Sequence, residues 1–252
     1  KCQPKKALIL KRIENVFNES NKTYGSPRIF REINKSEKIV GSKNTVAKYM
    51  KELNLDARLK KKFRVMTTNS NHSGPIAPRL FKAENPEVTG PSQVLAGDIT
   101  YLRCGNQFYY LSVVMDIFSR KIVGWSLSDS LESKGVTDAL KMAIANVGKY
   151  SKIIFHSDRG VQYASEAYRK LMNKKDVVPS MSRKGNCYDN CFVESWFKSF
   201  KSEWFYRRVV RCEADLRSIV FEYIETWYNS RRLHSSLGYQ SPIEYELNYL
   251  AA

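Results

Sequence analysis

The sequence predicts an α/β protein with a mixed sheet, its first three strands antiparallel and helices on both faces, preceded by an all-α helix-turn-helix segment. Three observations carry this. Apolar residues recur at helical spacing as far as Leu53; residues 56–92 lose any apolar period; and from Gln93 short β-branched and aromatic runs alternate with helical stretches in the order βββαβαβα.

Within the first part, Ile9, Ile13 and Val16 share a helical face over 5–18, and a second helix opens at Ser26-Pro27 with Ile29 and Ile33 inward. A third begins after Gly41 with Ser42 as cap, burying Val46, Tyr49, Met50 and Leu53 and leaving Lys43, Asn44, Ala47, Lys48 and Lys51 outside. Three short helices with a basic last one suit a helix-turn-helix, whose last helix enters the major groove; a structural bundle with a solvated lysine face is the plainer alternative. The domains expected are 1–57 for this unit, 58–92 for a basic linker that includes Lys60, Lys61 and Lys62, 93–206 for the α/β core and 207–252 for a helical C-terminal extension. Strands are expected at Leu95–Leu102, Phe108–Asp116 and Lys121–Leu127, divided by the turns Gly105-Asn106 and Ser119-Arg120. A helix with Val136, Leu140, Ala143 and Val147 on one face follows, then a strand over Lys152–His156, a helix from Ser165 and a strand over Val177–Ser180. Helices over Tyr188–Phe205 and Glu213–Tyr228 complete the core, the latter burying Leu216, Val220, Tyr223 and Trp227.

Charge narrows the function classes. The 252 residues carry a net +17, and residues 1–90 hold 20 basic against 8 acidic side chains. That basic front asks for a polyanion, and without an amphipathic basic helix bearing exposed aromatics the polyanion expected is nucleic acid rather than a membrane. No apolar run is long enough to span a bilayer, and the chain, opening on Lys1, shows no secretory signal. Five scattered cysteines do not read as a disulfide framework, so a reducing, cytoplasmic setting is expected.

Three acids stand out. Asp98 sits inside an apolar strand, where a carboxylate is costly unless it is paired or metal-bound. Asp158 ends the fourth strand, at the carboxyl edge where open α/β sheets place their sites. Glu194 shares a helix face with Lys198 and Lys201, beside the apolar stripe Val193, Phe197, Phe200 and Trp204. Oxygen ligands of this kind suit Mg²⁺ or Mn²⁺ rather than zinc, and two such ions would clamp an in-line phosphoryl displacement. Taken alone each acid is a weak signal, since a strand-end Asp is more often a turn former and a helical Glu beside lysines is usually solvated. Cys187 and Cys191 lack a nearby histidine and read as small packing residues.

The strings GDITYL around Asp98, DIFSRKIVGWSL from Asp116, HSDRGVQYAS around Asp158, SRKGNCYDNCFVESWFKSFKSE around Glu194 and YNSRRLHSSLGYQSPIEYE near the end occur in one order. Together with YGSPRIFREI in the first part, they resemble the DDE transposases of bacterial insertion sequences, the group usually numbered three. Its catalytic part is similar to retroviral integrase. The resemblance implies an RNase H-like core, Asp98, Asp158 and Glu194 as a metal-binding catalytic triad, and Lys201 as the basic residue seven past the glutamate. Asp116 is then a structural acid, expected to pair with Arg120. Leu95 stands where the group usually has Trp, and Cys191 where Ala is common. Only Cys2 and His72 fall among the cysteines and histidines of residues 1–90, so the zinc module of retroviral integrases is not expected.

The function implied is transposition: a water cuts the element's end and frees a 3′-OH, which attacks a second phosphodiester, with two Mg²⁺ or Mn²⁺ ions per site. The resemblance suggests a circular intermediate. A DNA-binding regulator with an inactive core and a hydrolysis-only nuclease are the alternatives. Further DNA contacts are expected from Lys198, Arg183, Lys184, Asn190, Arg231, Arg232 and His234, the last by itself an equally good packing residue, while His156 packs beside Asp158 or meets the DNA end. The partners implied are double-stranded DNA (terminal inverted repeats and target), a second copy of the chain on that DNA and an upstream-frame fusion segment. The location implied is the bacterial nucleoid.

Overall fold

The computed structural model describes residues 3–36, 39–57, 76–82, 87–147, 152–174, 177–183 and 190–251. Its first three helices are α1 (Gln3–Glu19), α2 (Ser26–Ile33) and α3 (Lys43–Glu52). Ile13, Ile29 and Val46, one from each, are fully buried against one another. Ser42 caps α3 as expected, its hydroxyl accepting from the Thr45 N–H at 3.2 Å. The start of α2 differs by one residue. Gly25, not Ser26, is the cap, because its carbonyl accepts from the Arg28 and Ile29 N–H groups and Pro27 falls within the first turn.

Among the described residues the sheet has five strands, in the order β3-β2-β1-β4-β5. β1 (Val94–Cys104), β2 (Gln107–Asp116) and β3 (Ile122–Ser128) form an antiparallel meander, and β4 (Ile153–Ser157) and β5 (Val177–Met181) add in parallel. Gly105, at φ +60°, supplies the left-handed residue of the two-residue turn between β1 and β2. Helices α4 (Ser133–Val147) and α5 (Glu166–Lys174) make the crossovers and cover one face, burying Leu140, Ala143, Tyr168 and Met172 on Leu95, Val114 and Phe155. Leu95 is fully buried there, so the residue that departs from the usual Trp is an ordinary core position.

On the opposite face lie α6 (Cys191–Glu203) and α7 (Glu213–Phe221). The expected stripe of Val193, Phe197, Phe200 and Trp204 is buried, and Trp196 joins it, stacked on Phe200. The long helix expected to Tyr228 is α only to Phe221. Glu222–Tyr228 continues as a π-helix, whose wider turn lets Tyr223, Ile224, Trp227 and Tyr228 all face inward. A final helix, α8 (Pro242–Leu250), opens with a capping box between Ser241 and Glu244.

The N-terminal helices are not a separate bead. Their core runs into that of α6 and α7 without a break. The join is polar as well as apolar. Glu203, at the end of α6, forms a two-pronged ion pair with Arg232, both bonds at 2.6 Å, and Arg28 of α2 lies 3.7 Å from the same carboxylate. The Tyr24 hydroxyl accepts from the Leu233 N–H at 2.8 Å, and the Asn21 side-chain amide donates to the Glu203 carbonyl at 3.0 Å. Part of the expected linker is also pinned. The Leu80 and Phe81 N–H groups donate to Ser180 Oγ on β5 at 2.9 and 3.1 Å, and Phe81 is buried. Lys60, Lys61 and Lys62 lie outside the described residues.

One packing contact has a large consequence. A Cβ placed on Gly124 of β3 would stand 2.2 Å from the Ala139 carbonyl oxygen and 2.7 Å from the Ala143 nitrogen, both helix backbone. Neither can yield without moving α4 off the sheet, so Gly124→Ala is expected to lose at least about 1–3 kcal/mol, the usual range for overpacking. Urea unfolding checks this, and a midpoint equal to that of the unmutated chain would refute it.

Candidate active site

Sheet register brings the first two acids together. β1 pairs in parallel with β4 through Val94↔Ile154, Leu95↔Phe155 and Ala96↔His156, and the same register continued two residues sets Asp98 opposite Asp158 at the carboxyl end of β4. Gly97 makes this possible, since a Cβ there would lie 2.4 Å from the Phe155 ring. Asp98 Oδ1 accepts from the Ile99 N–H at 2.8 Å, and Asp158 Oδ1 from the Gly160 N–H at 2.9 Å. Gly160 is held so close that a Cβ would stand 3.0 Å from that same Oδ1. Glu194 comes from the opposite side, in the first turn of α6, where the helix dipole favours a carboxylate.

The electrostatics tie the three together. Burial raises the Asp98 carboxyl pKa well above its ordinary value, and repulsion from Asp158 and then Glu194 raises it further; the Ile99 N–H and Lys201 oppose them without prevailing. Lys201, two turns beyond Glu194, is pushed down to about 8 by burial, with Asp98 working the other way. Its Nζ lies 4.6 Å from the centre of the Tyr101 ring. The cleft beside Asp98 and Asp158 is lined by Tyr101, Tyr110, Leu131, Gly160, Gln162 and Tyr163. Among the described residues no three His, Cys, Asp or Glu side chains are already gathered closely enough to hold a metal ion.

The other expected positions divide. Lys43, Asn44, Lys48 and Lys51 are exposed along α3, and Arg183, Lys198 and Arg231 are exposed as well. Lys184 and Cys187 lie outside the described residues. Arg232 is a correction: it is not on the surface, because its guanidinium is committed to Glu203. Asn190 is another. It is buried, its side-chain amide donating to the Gly97 carbonyl at 3.3 Å, so it ties the start of α6 to the strand that carries Asp98. His234 is half-buried beside Ser236, and burial, then Arg232, Arg120 and Arg28, hold its pKa down to about 4.

Two further expectations change. Asp116 does not pair with Arg120. It accepts from the Ser92 N–H, the Ser119 N–H and the Ser119 hydroxyl, the last at 2.6 Å, and so closes the β2–β3 turn, while Arg120 lies over the Phe192 ring. His156 does not reach a DNA end. It is fully buried between Ser180 and Ser182, with Phe81 packed on its ring. Since Ser180 Oγ already accepts two N–H groups, its own hydroxyl is left to donate to His156 Nδ1.

The architecture has known counterparts. The Integrase core domain family matches residues 88–187 and, in a second form, 175–242, and an HTH-like domain family matches residues 4–63. The transposase InsF of insertion sequence IS3A from Escherichia coli (strain K12) is 37% identical over 235 residues, covering 93% of this chain and 81% of that protein. The chain belongs to the IS3-type insertion-sequence transposases. The transposase of insertion sequence element IS904 from Lactococcus lactis subsp. lactis (strain IL1403) matches this transposase along nearly its whole length, 35% identical over 252 residues, 98% of this chain and 96% of that one. In fold, it is similar to the simian T-cell lymphotropic virus intasome solved in complex with PP2A regulatory subunit B56 gamma. The TM-score is 0.53 at 15% identity, over 93% of this chain and 74% of that one. Its class of chemistry is polynucleotidyl transfer in DNA transposition and integration. Among the described residues no helix is long and apolar enough to cross a membrane.

Proposed function

We propose that this transposase cuts the ends of its insertion sequence and joins the freed 3′-OH to a second phosphodiester at a single site built from Asp98, Asp158 and Glu194. The observation that carries the reading is the β1–β4 register, which sets Asp98 opposite Asp158. Asp98 is half-buried, Asp158 and Glu194 both repel its negative charge, and Lys201 alone does not offset them, an arrangement that fits divalent cations better than any other occupant. The donors are all carboxylate oxygens, which favours Mg²⁺ or Mn²⁺. Two such ions, when bound, supply the positive charge that lowers the pKa of the attacking hydroxyl and stabilises the leaving oxygen.

The remaining work falls to the chain. Asp98 and Asp158 are fixed by their backbone hydrogen bonds, and Glu194 closes the set from α6. Lys201 holds a phosphate oxygen next to the acids, and Lys198 and Arg183 carry the strand outward. The exposed face of α3 grips duplex DNA, with the N-terminal helices, residues 1–57, as the end-binding domain, 58–92 as a connector and 93–206 as the core. Two ends must meet, so a second copy of the chain assembles on the DNA.

Labelled element ends incubated with the protein and Mg²⁺ test this. Joined strands are expected, lost in EDTA and in Asp158→Asn; binding without products would favour a regulator, and hydrolysis without joining a nuclease. A second expectation concerns α3. Lys48→Ala should weaken DNA binding and reduce the slope of log affinity against log salt by about one. Titrations at several salt concentrations measure it, and an unaltered slope would take α3 out of the interface.

A further inference from the structure

An aromatic patch lies immediately beside the acids. Phe108 and Tyr206 are 46% and 36% exposed. Phe108 packs on Tyr101, which stands three residues beyond Asp98 and lines the same cleft. The Phe108 ring meets Tyr101 edge-on with centroids 5.5 Å apart, a diagonal pair across the β1–β2 ladder. Tyr206, in the short turn after α6, lies within electrostatic reach of Tyr101. The patch is edged with positive charge. Lys201 Nζ sits over the Tyr101 ring, and Arg103, directly across the ladder from Phe108, is exposed.

We propose that Tyr101, Phe108 and Tyr206 form a stacking site for an unpaired base at the DNA end being cut or joined. The inference rests on the reading of Asp98, Asp158 and Glu194 as the phosphoryl-transfer centre. Tyr101 and Tyr163 wall the cleft, and a base left unpaired at a duplex end brought to it meets the patch at Tyr101. Open rings flanked by cations are what a base and its phosphate require: the ring offers a π-face to any base, and Lys201 and Arg103 hold the phosphates on either side. Tyr101, covered by Lys201 and braced by Phe108, is the fixed member, and the more exposed Phe108 and Tyr206 rings receive the base.

The test uses the full chain in EDTA with two probes. One is a duplex ending in a short single-stranded overhang that carries a fluorescent adenine analogue; the other is the same duplex, blunt-ended. Quenching of the analogue is expected on binding. In the double variant Phe108→Ala/Tyr206→Ala the quench should vanish and affinity for the frayed probe fall about tenfold or more, the loss of one aromatic–base stack. Affinity for the blunt probe should hold, and Phe108→Trp should keep the quench. Equal affinities of the unmutated chain and the double variant for both probes would overturn the proposal, as would an intact quench in the double variant. A changed oligomeric state in the double variant with unaltered quenching would also overturn it and assign the patch to protein contact. The two readings fail separately: no quench with metal-dependent joining intact removes only the stacking site, whereas a quench without joining removes only the transferase reading.

Discussion

Asp98→Asn should suppress both cutting and joining by more than about 100-fold, beyond the 10–100-fold that loss of a group merely supporting a metal ligand produces. DNA binding in EDTA should survive, since the acid repels phosphate. The same substitution should also make the metal-free protein more stable, which a purely structural aspartate would not do. Folding raises the Asp98 pKa, through burial first and then Asp158 and Glu194. The stability linked to its proton is therefore complete below the ordinary carboxylate range and is lost as pH rises through the raised value. As pH rises the unmutated chain loses that contribution, whereas the Asp98→Asn chain has nothing to lose. Thermal melting in EDTA across pH should show a decline for the unmutated chain that is shallower for Asp98→Asn. Each kcal/mol is worth roughly 2–4 °C in a domain of this size. A lower melting temperature for the variant at neutral pH would mean that these acids do not repel one another.

The acids were legible because each breaks a local rule. A carboxylate inside an apolar strand, another where a strand ends and a third beside an apolar helical stripe are visible one position at a time. That a mixed sheet would bring them together could be expected, but that β1 adjoins β4, which sets Asp98 opposite Asp158, is written in neither strand alone. Asp116 looks much the same in sequence, in an apolar strand at a turn. What distinguishes it is Ser119 three residues on, whose N–H and hydroxyl satisfy it locally. Arg232 misled for a different reason. In Asn229-Ser230-Arg231-Arg232 two arginines stand side by side, and only the fold shows that Arg231 faces solvent while Arg232 meets a glutamate 29 residues earlier. His156 and Asn190 are the same case: polar residues near catalytic strings whose partners, Ser180, Ser182 and Gly97, come from other elements. The start of α8 could have been found. Ser241-Pro242-Ile243-Glu244 carries both the capping box and a proline in the first turn. The π-helix could not, because an α-helical spacing fits Tyr223 and Trp227 equally well.

Arg232→Met should destabilise the fold by about 3–5 kcal/mol, the loss expected when one member of a buried pair is left without the other. Both side chains are 4% exposed, and Glu203 would remain among Tyr223, Trp204 and the N-terminal helices, with Arg28 at 3.7 Å its nearest cation. The pH dependence should reverse. In the unmutated chain burial pushes the Glu203 pKa up, but Arg232 and Arg28 outweigh it and the net value is depressed. Its contribution is therefore present above the ordinary carboxylate pKa and is lost as pH falls through the folded value. Without Arg232 burial should prevail over Arg28 and raise the folded pKa, so the variant should lose stability as pH climbs instead. Urea unfolding at acid and neutral pH measures both slopes. Replacing both partners, Glu203→Leu with Arg232→Met, should recover much of the loss, because neither charge is then stranded. Failure to recover would mean either that the pair also fixes the angle at which α2 meets α6 or that Arg28, deprived of Glu203, has become the new unpaired charge. Adding Arg28→Met to that double variant separates these outcomes: recovery identifies the stranded guanidinium, and continued instability identifies the lost geometry of the joint between the N-terminal helices and the core.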